Sequence, residues 1–211
     1  MSEREEEVSR LKLRLMETIR PGRIHKYSGK DFDKRGVVYA LKSKFVGANS
    51  SRTQITATRS SDGRGDPKII LENQLRRGVV SATKAKKYSW WCVDLTENYA
   101  LYLTHYTLRH GQEQRGFVLR NWQLEGSVDG SKWAVLKNHK NDHGLEEPKS
   151  YSTYCTSTWA IHGEFNAFRY FKIFQTGKNS SERFGIFLSG IELYGVLVKI
   201  VVSNHGVLPK L

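Results

Sequence analysis

The stretch that decides the fold is LRNWQLEGSVDGSKWAVL, residues 119–136. Alternating apolar and polar residues on both sides of Asp129-Gly130 predict two β-strands joined by a tight turn. Gly130 supplies the positive φ angle that such a turn needs, and the side chain of Asp129 can bond the backbone ahead of it. Because successive side chains of a strand point to opposite faces, we expect Trp122 and Trp133 to be buried, which makes the hairpin part of a core.

The same alternation of aromatic and β-branched residues recurs along most of the chain after Gly22. Polar segments such as GANSSR and HGQEQRG separate the alternating runs and are typical of turns. Many strands with turn-rich connections predict an antiparallel β-sandwich or barrel of jelly-roll type. Besides the hairpin, with strands at 121–127 and 132–139, the predicted strands lie at 36–41, 89–95, 102–110, 168–175 and 186–198.

The N-terminal segment has a different period, with apolar residues at positions 8, 11, 15 and 19. This spacing predicts a helix that ends at Pro21-Gly22. Such a helix can be a linker, or residues 3–20 can form a short, weak coiled-coil contact with a partner. We therefore expect an N-terminal helix over 1–22, a β-sandwich domain over 23–198 and a C-terminal tail over 199–211.

Composition and charge limit the kinds of partner that the chain can have. The chain has 211 residues, 38% of them hydrophobic, which is enough for one good-sized domain. Its formal net charge of +13 suits an anionic partner: nucleic acid, a membrane surface or an acidic protein. The charge is dense only at 76–77 and 84–87, which argues against a nucleic-acid footprint. No apolar run approaches the roughly 20 residues of a membrane helix.

The start of the chain and its two cysteines indicate a reducing compartment. The first ten residues are charged and lack the apolar stretch of a secretory signal. If Met1 is the true start, we expect the chain to stay inside the cell, in the cytoplasm or in the nucleus. Cys92 and Cys155 are far apart and form no CxxC motif, so we expect two free thiols.

Six blocks of sequence occur in an order that resembles discoidin-type domains, also called coagulation factor V/VIII C-type domains, with the galactose-binding-like fold. The resemblance covers roughly residues 23–195. It is closer to the intracellular branch, which includes a SUN-like region of a large HECT-type ubiquitin ligase and domains beside BTB modules. The blocks are SWWCVDL, YTLRHG, LRNWQLEGSVDGSKWAVL, STWAI, FRYFKIFQTGKNSS and LSGIELYG.

The resemblance implies an all-β, eight-stranded antiparallel jelly-roll sandwich whose ends meet and which binds without catalysis or a cofactor. In extracellular members, loops at one end hold lipid or glycan; in intracellular members, that rim contacts proteins or degradation signals. The flanking cysteine pair of secreted members is missing, and the segments 47–52 and 60–66 are polar, which argues against lipid binding. We expect a protein partner in ubiquitin-linked machinery. A carbohydrate-binding, lectin-like module is the alternative.

Basic residues at strand ends are the first candidates for binding. Arg109 and His110 end one predicted strand, and Arg120 begins the next after a glycine-bounded loop. They could converge on an anionic or carbonyl-bearing ligand, for which Arg offers a forked set of donors. The alternative is that Arg109 and Arg120 pair with local carboxylates such as Asp94 or Glu125.

Trp90 and the loop 141–150 complete the candidate site. Trp90 and Trp91 are adjacent and therefore point to opposite faces of a strand. One belongs to the core, and the other is either covered by the hairpin or forms a binding platform. Asp142 and His143 are the further candidate contacts in the loop.

The sequence favours neither a metal centre nor a catalytic one. His139 and His143 are four residues apart, but no third ligand has the spacing of a zinc site. Asp62 and Asp66 could offer oxygens to calcium, although the chain around them is basic. Cys155 lacks a nucleophile signature, and no Gly-x-Ser-x-Gly, P-loop or HExxH motif occurs. We therefore predict a binding module rather than an enzyme.

Overall fold

The computed structural model of the protein describes six ranges of the chain. The helix expected in 1–22 and nearly all of the tail expected over 199–211 lie outside them, so these two expectations stay predictions. The described ranges are 22–43, 54–75, 78–111, 116–145, 154–163 and 166–200.

Two antiparallel sheets form the domain, and side chains from both build its hydrophobic core. One sheet has the order β1-β9-β4-β7 and the other β2-β3-β8-β5-β6. The predicted all-β sandwich is thus confirmed, with nine strands in the described residues rather than eight. The strands are β1 (Arg23–His25), β2 (Thr56–Arg59), β3 (Trp90–Asp94), β4 (Tyr99–His110), β5 (Trp122–Ser127), β6 (Ala134–His139), β7 (Thr156–Ala160), β8 (Tyr170–Gln175) and β9 (Leu188–Lys199).

The strand predicted at 36–41 is wrong, because this segment belongs to the helix α1 (Val37–Ser43). A short apolar run suits a buried helix as well as a buried strand. Here the choice is made by Glu192 of β9, whose carboxyl oxygens accept hydrogen bonds from the backbone N–H groups of Val38 (2.7 Å) and Tyr39 (3.1 Å). These are donors that the first turn of a helix leaves unpaired.

The hairpin of the opening stretch forms as predicted at its turn. Gly130 has a φ of +76°, and the Asp129 carboxylate accepts hydrogen bonds from the backbone N–H groups of Ser131 and Lys132 at 2.8 and 2.9 Å. The indole of Trp122 is fully buried in the core.

Trp133 corrects the expectation of two buried indoles. It is half-buried on the outer face of the five-stranded sheet, where the ammonium of Lys172 lies 3.8 Å from its ring centroid. A register shift between Leu124 and Glu125 interrupts the pairing of β5 with β6. A shift of one residue moves every following side chain to the other face of the sheet. Val135, which follows Trp133 on the same face, is accordingly 48% exposed.

The two ends of the sandwich differ in what they carry. At one end β1 pairs with the last part of β9, so the beginning and end of the domain meet. At the other end His110 pairs with Leu188, and Trp122 pairs with both Gln175 and His139. The loops next to these residues therefore cluster there. We call this cluster the rim, and it comprises the loops 60–67, 83–89, 116–121, 140–145 and 176–185.

Cys92 and Cys155 are not joined in a disulfide, as predicted. Cys92 is buried, and burial raises the pKa of its thiol to about 12, so it stays protonated at neutral pH. Within the described ranges, no helix has the length and apolar character needed to cross a membrane.

Candidate functional site

Three loops of the rim enclose a cleft of about 600 Å³, which we call the rim groove. A cleft between loops on a rigid sandwich is a common place for a binding site. Its lining is polar and basic: Arg120, Asn121, Asn141, His143, Gly177, Lys178, Asn179, Ser180 and Glu182.

Arg120 holds the loop 140–145 against the strand end that precedes β5. Its guanidinium donates to the carbonyl oxygens of Asp142 (3.3 Å) and Leu145 (2.9 Å). The Asp142 N–H donates back to the Arg120 carbonyl at 2.8 Å. The alternative weighed for Arg120, pairing with Asp94 or Glu125, is therefore replaced by bonds to backbone oxygens.

Asn121 joins the same loop to the turn after β8. Its amide nitrogen donates to the Lys178 carbonyl, and its amide oxygen accepts from the Asn141 N–H, both at 2.9 Å. Gly177 lets the chain pass close by, since a Cβ there would lie 2.9 Å from the Cβ of Asn121. Sequence reasoning missed this role of Asn121, because its partners are distant in the chain.

Asn179 shapes the turn that forms the far wall of the groove. It is only 1% exposed, and its side-chain oxygen accepts from the N–H groups of Ser181 (3.0 Å) and Arg183 (3.2 Å). Polar residues between β8 and β9 predict a loop but do not reveal which of them organises it.

A chain of hydrogen bonds connects the rim to the core. The indole N–H of Trp122 donates to the Tyr106 hydroxyl (3.2 Å), which lies 2.6 Å from Nε2 of His139. Nδ1 of His139 lies 2.6 Å from Oδ2 of Asp142. A carboxylate only accepts, so Nδ1 carries the proton and Nε2 accepts from Tyr106. Burial lowers the pKa of His139, against the opposing effect of Asp142, so the ring is neutral.

The structure brings together three of the six predicted site residues. Arg120 and His143 line the rim groove, and Asp142 lies beside them. The side chain of Asp142 is engaged by His139 and by the Gly144 N–H (2.6 Å), so it organises the loop rather than facing a ligand. Residues 146–150 of the predicted loop 141–150 lie outside the described residues.

Arg109 does not join them, because it is 6% exposed on the outer face of the four-stranded sheet. Its guanidinium donates to the carbonyls of Glu72 (2.9 Å), Asn73 (3.0 Å) and Ser189 (3.0 Å), and lies 4.3 Å from the ring centroid of Phe32. Burial lowers its pKa to about 10, which leaves it charged at neutral pH. Arg109 thus locks the covering segments to the sheet.

The two carboxylates suggested as partners for Arg109, Asp94 and Glu125, form ion pairs with other residues. Asp94 pairs with Arg169 at 2.7 Å, and Glu125 pairs with Lys172 at 2.7 Å. Both alternatives suggested for Arg109, a ligand contact and a local ion pair, therefore give way to a network of backbone carbonyls.

His110 is also buried, and burial lowers its pKa to about 4. It is a neutral interior residue at pH 7 and does not present a charge to a ligand.

Trp90 and Trp91 point to opposite faces, as predicted: Trp91 is in the core, and Trp90 is half-buried on the outside of the five-stranded sheet. There Trp90 contributes to a second cleft of about 350 Å³, the outer-face groove. This groove is lined by Thr58, Trp90, Cys92, Gly130, Trp133, Tyr170 and Lys172.

Three of the four residues weighed as metal ligands, His139, Asp62 and Asp66, have structural partners. Both ring nitrogens of His139 are hydrogen-bonded. Asp66 accepts from the Lys68 N–H (2.8 Å) at the start of a 3-10 helix, and Asp62 pairs with Arg59 (3.0 Å). In the part of the chain that the structure describes, no three His, Cys, Asp or Glu side chains converge on a point that could hold an ion.

Comparison with known proteins gives a sequence match to parts of much larger chains. No family model matches. The chain is 35% identical over 182 residues to E3 ubiquitin-protein ligase Ufd4 of Drosophila melanogaster, and 35% identical over 185 residues to E3 ubiquitin-protein ligase hecd-1 of Caenorhabditis elegans. It is 26% identical over 180 residues to the BTB/POZ domain-containing protein At2g30600 of Arabidopsis thaliana. These matches cover 81%, 82% and 79% of this chain, but only 6%, 7% and 21% of the relatives.

Solved structures share the fold at low sequence identity. A Streptococcus pneumoniae fucose binding module superposes with a TM-score of 0.51 at 18% identity, covering 66% of this chain and 90% of that one. The f-lectin from striped bass (Morone saxatilis) serum gives 0.52 at 16% identity, covering 67% of this chain and 46% of that one. Clostridium perfringens CpGH89CBM32-5, in complex with GalNAc-beta-1,3-galactose, gives 0.51 at 11% identity, with 67% and 95% coverage. The chain thus has the discoidin-type, galactose-binding-like fold, and its sequence is similar to a region of two animal E3 ubiquitin ligases and of a plant BTB protein.

Proposed function

We propose that this chain is a non-enzymatic recognition module that binds a protein partner through the rim groove. The observation that carries the proposal is the construction of the groove. Arg120 and Asn121 tie its three loops together through backbone atoms, while His143 and Lys178 remain on the surface. A pre-formed set of loops binds with a smaller loss of conformational entropy than loops that must be ordered on binding.

The chemistry of the groove supports binding rather than catalysis. Its walls carry amide, guanidinium and ammonium groups, which recognise carbonyls and carboxylates, together with the imidazole of His143 and the carboxylate of Glu182. The hydroxyl of Ser180 accepts from the Val118 N–H at 3.1 Å, as expected for a structural residue.

The proposed place of the module is in ubiquitin-linked machinery, inside the cell. Support comes from the two ligases to which the sequence is similar, in which the matching region spans 6% and 7% of the chain. We propose that such a region recruits a substrate or partner, while ubiquitin transfer belongs to other parts of a ligase.

A carbohydrate-binding module is the second candidate, and one observation favours it. The outer-face groove presents the half-buried indoles of Trp90 and Trp133. Aromatic faces of this kind suit the apolar face of a sugar ring. None of the described residues that line the rim groove is Phe, Tyr or Trp, so a sugar would bind on the sheet and not at the rim.

The test is affinity capture from cell lysate with quantitative mass spectrometry. The rim variant is His143→Ala with Lys178→Ala, and the matched control is His162→Ala with Lys132→Ala, which removes the same residue types at the opposite end. We expect the rim variant to lose partners that the wild type and the control retain. Equal capture by all three proteins would refute binding through the rim groove.

A glycan array separates the two candidates. Hits that disappear in a Trp90→Ala, Trp133→Ala variant would favour the carbohydrate-binding module, and an array without hits would remove it.

A further inference from the structure

A surface of unpaired cations lies beside the rim groove. It consists of five exposed residues on three loops of the rim, and we call it the basic face: Arg64, Lys84, Lys86, Lys87 and Arg183.

Backbone contacts hold the first two of these loops together. The Arg64 N–H donates to the Ala82 carbonyl (3.0 Å), and the Ala82 N–H donates back to the Arg64 carbonyl (2.8 Å). The Lys84 N–H donates to the hydroxyl of Ser61 at 3.1 Å. The cations at 64 and 84 are thus carried by adjoining backbone segments and not by separate parts of the surface.

The third loop continues the same surface toward the rim groove. A Cβ built on Gly185 would lie 3.5 Å from the Cα of Ala85, and the Lys87 ammonium lies 5.9 Å from the ring centroid of Phe184. On the other side of this turn, the Phe117 N–H donates to the hydroxyl of Ser181 at 2.9 Å. The turn 176–185 is therefore shared by the basic face and the groove.

The carboxylates in these loops do not neutralise the basic face. Asp62 pairs with Arg59 at 3.0 Å, and Glu182 pairs with Lys178 at 3.1 Å. Asp66 accepts from a backbone N–H at the start of the 3-10 helix. Within the described ranges, none of the five cations has a carboxylate partner, so the field at this end of the sandwich is positive.

We infer that the basic face binds an acidic peptide segment of the protein partner, an inference that rests on the proposed function of the rim groove. Several lysines on adjoining loops suit carboxylates spaced along an extended peptide, whose alternate side chains repeat at about 6.6 Å. The groove beside the face offers the exposed side-chain amide of Asn141 for peptide groups.

A nucleic acid fits this surface less well. Proteins that bind single strands stack bases on aromatic side chains along a basic groove. None of the described residues that line the rim groove is Phe, Tyr or Trp, and Phe184 is half-buried beneath Lys87. Tyr88 is 69% exposed in the loop 83–89, so the described part of this surface offers a single exposed tyrosine rather than a row of rings for successive bases.

The test measures binding of a fluorescein-labelled 12-residue peptide of alternating Glu and Ser, with a Gln–Ser peptide as the neutral probe. We expect the wild-type chain to bind the Glu peptide at least about tenfold more tightly than the Gln peptide, with affinity that falls as salt rises. The triple variant with Lys84→Glu, Lys86→Glu and Lys87→Glu should bind the Glu peptide at least about tenfold more weakly than wild type. The control Arg23→Glu, Lys132→Glu, Lys199→Glu makes the same charge change at the opposite end and should lower the affinity less than about threefold.

Other outcomes overturn the inference in distinguishable ways. Equal loss in the two triple variants would mean that only net charge matters. Tighter binding of a 20-nucleotide single-stranded DNA than of the Glu peptide, abolished by the Lys84 set, would assign the face to nucleic acid. If the Glu peptide fails to bind while partner capture still depends on His143 and Lys178, the peptide chemistry is wrong and the proposed function stands. If the Glu peptide fails to bind and partner capture does not depend on His143 and Lys178, the inference about the acidic peptide and the proposed function are both wrong.

Discussion

Nδ1 of His139, at the end of β6, lies 2.6 Å from Oδ2 of Asp142, three residues later in a rim loop. The other ring nitrogen meets the hydroxyl of Tyr106, which also accepts from the buried indole of Trp122. One directional chain of hydrogen bonds therefore runs from the core to the rim. The position of the loop 140–145 depends on groups buried in the core.

Replacing Asp142 tests this anchor. Asp142→Asn should lower the free energy of unfolding by about 1–3 kcal/mol, because an amide can accept from only one of His139 and Gly144 while its NH₂ group faces the other. Urea denaturation at pH 7.5 measures the change. Glu182→Gln, at an exposed ion pair, is the matched control and should change stability by at most about 1 kcal/mol. Similar losses in the two variants would show that the Asp142 contact is no more than a surface interaction.

The two tryptophans of the hairpin should differ sharply in their contribution to stability. Trp122→Ala should lower the free energy of unfolding by about 3–5 kcal/mol, because it empties a fully buried site and removes the donor to Tyr106. Trp133→Ala should cost less than about 2 kcal/mol, since the indole is half-buried and its contact with Lys172 contributes about 1 kcal/mol. Thermal and urea denaturation of both variants give the comparison. Equal destabilisation would contradict the placement of Trp133 outside the core.

His110 makes stability depend on pH on the acidic side of neutrality. Burial lowers its pKa to about 4 from 6.5, so between these values the unfolded chain binds a proton that the folded chain does not. This contribution to stability is fully present above about pH 6.5 and is lost as pH falls to about 4, on the order of 3 kcal/mol in total. His110→Gln should therefore flatten the decline between pH 6.5 and 4.5 in urea denaturation.

His143→Gln, which changes an exposed histidine of the rim, is the control for that measurement. Parallel pH curves for wild type and His110→Gln would show that the ring of His110 titrates alike in the folded and unfolded chains.

The pH dependence of stability that is expected from Glu192 has the opposite sign to that from His110. Burial raises its pKa to about 8 from 4.5, although backbone N–H groups of Val38, Tyr39 and Leu193 oppose the shift. A group with a raised pKa contributes stability that is fully present below about pH 4.5 and is lost as pH rises through about 8. Glu192→Gln should remove this decline when unfolding free energies are compared at pH 5 and pH 8.

The same variant has a second expected effect. A glutamine nitrogen cannot accept from the Tyr39 N–H, so Glu192→Gln should be less stable than wild type at pH 5 by about 1–3 kcal/mol. A variant with wild-type stability at pH 5 and an unchanged pH dependence would exclude the proposed role of this carboxyl group.

Much of the fold could be predicted because it is encoded in local alternation. Trp91, Val93 and Leu95 share a buried face, as do Phe171 and Ile173. The strands β1, β2 and β7 could not be recognised because they are only three to five residues long and contain too few apolar residues to show an alternation.

The candidate site was predicted only in part. The location of Arg120 and His143 at the rim could be predicted, because strand ends and loops can be recognised from the sequence. Arg109 could not be placed from the sequence, because the carbonyls that surround it belong to Glu72 and Asn73, more than 30 residues away in the chain.

By itself the sequence determined the sandwich, its hairpin and the loops that gather at the rim, since side-chain alternation and turn residues act over a few neighbouring positions. Only the tertiary structure decided that 37–43 is a helix, that Arg109 and His110 are interior and that Asn121 joins three loops. The physical reason is that a polar group is satisfied by whichever partner the fold brings near. For Glu192 that partner is the helix α1, in which Val38 lies 154 residues away in the chain. The residues next to Glu192 therefore do not reveal it.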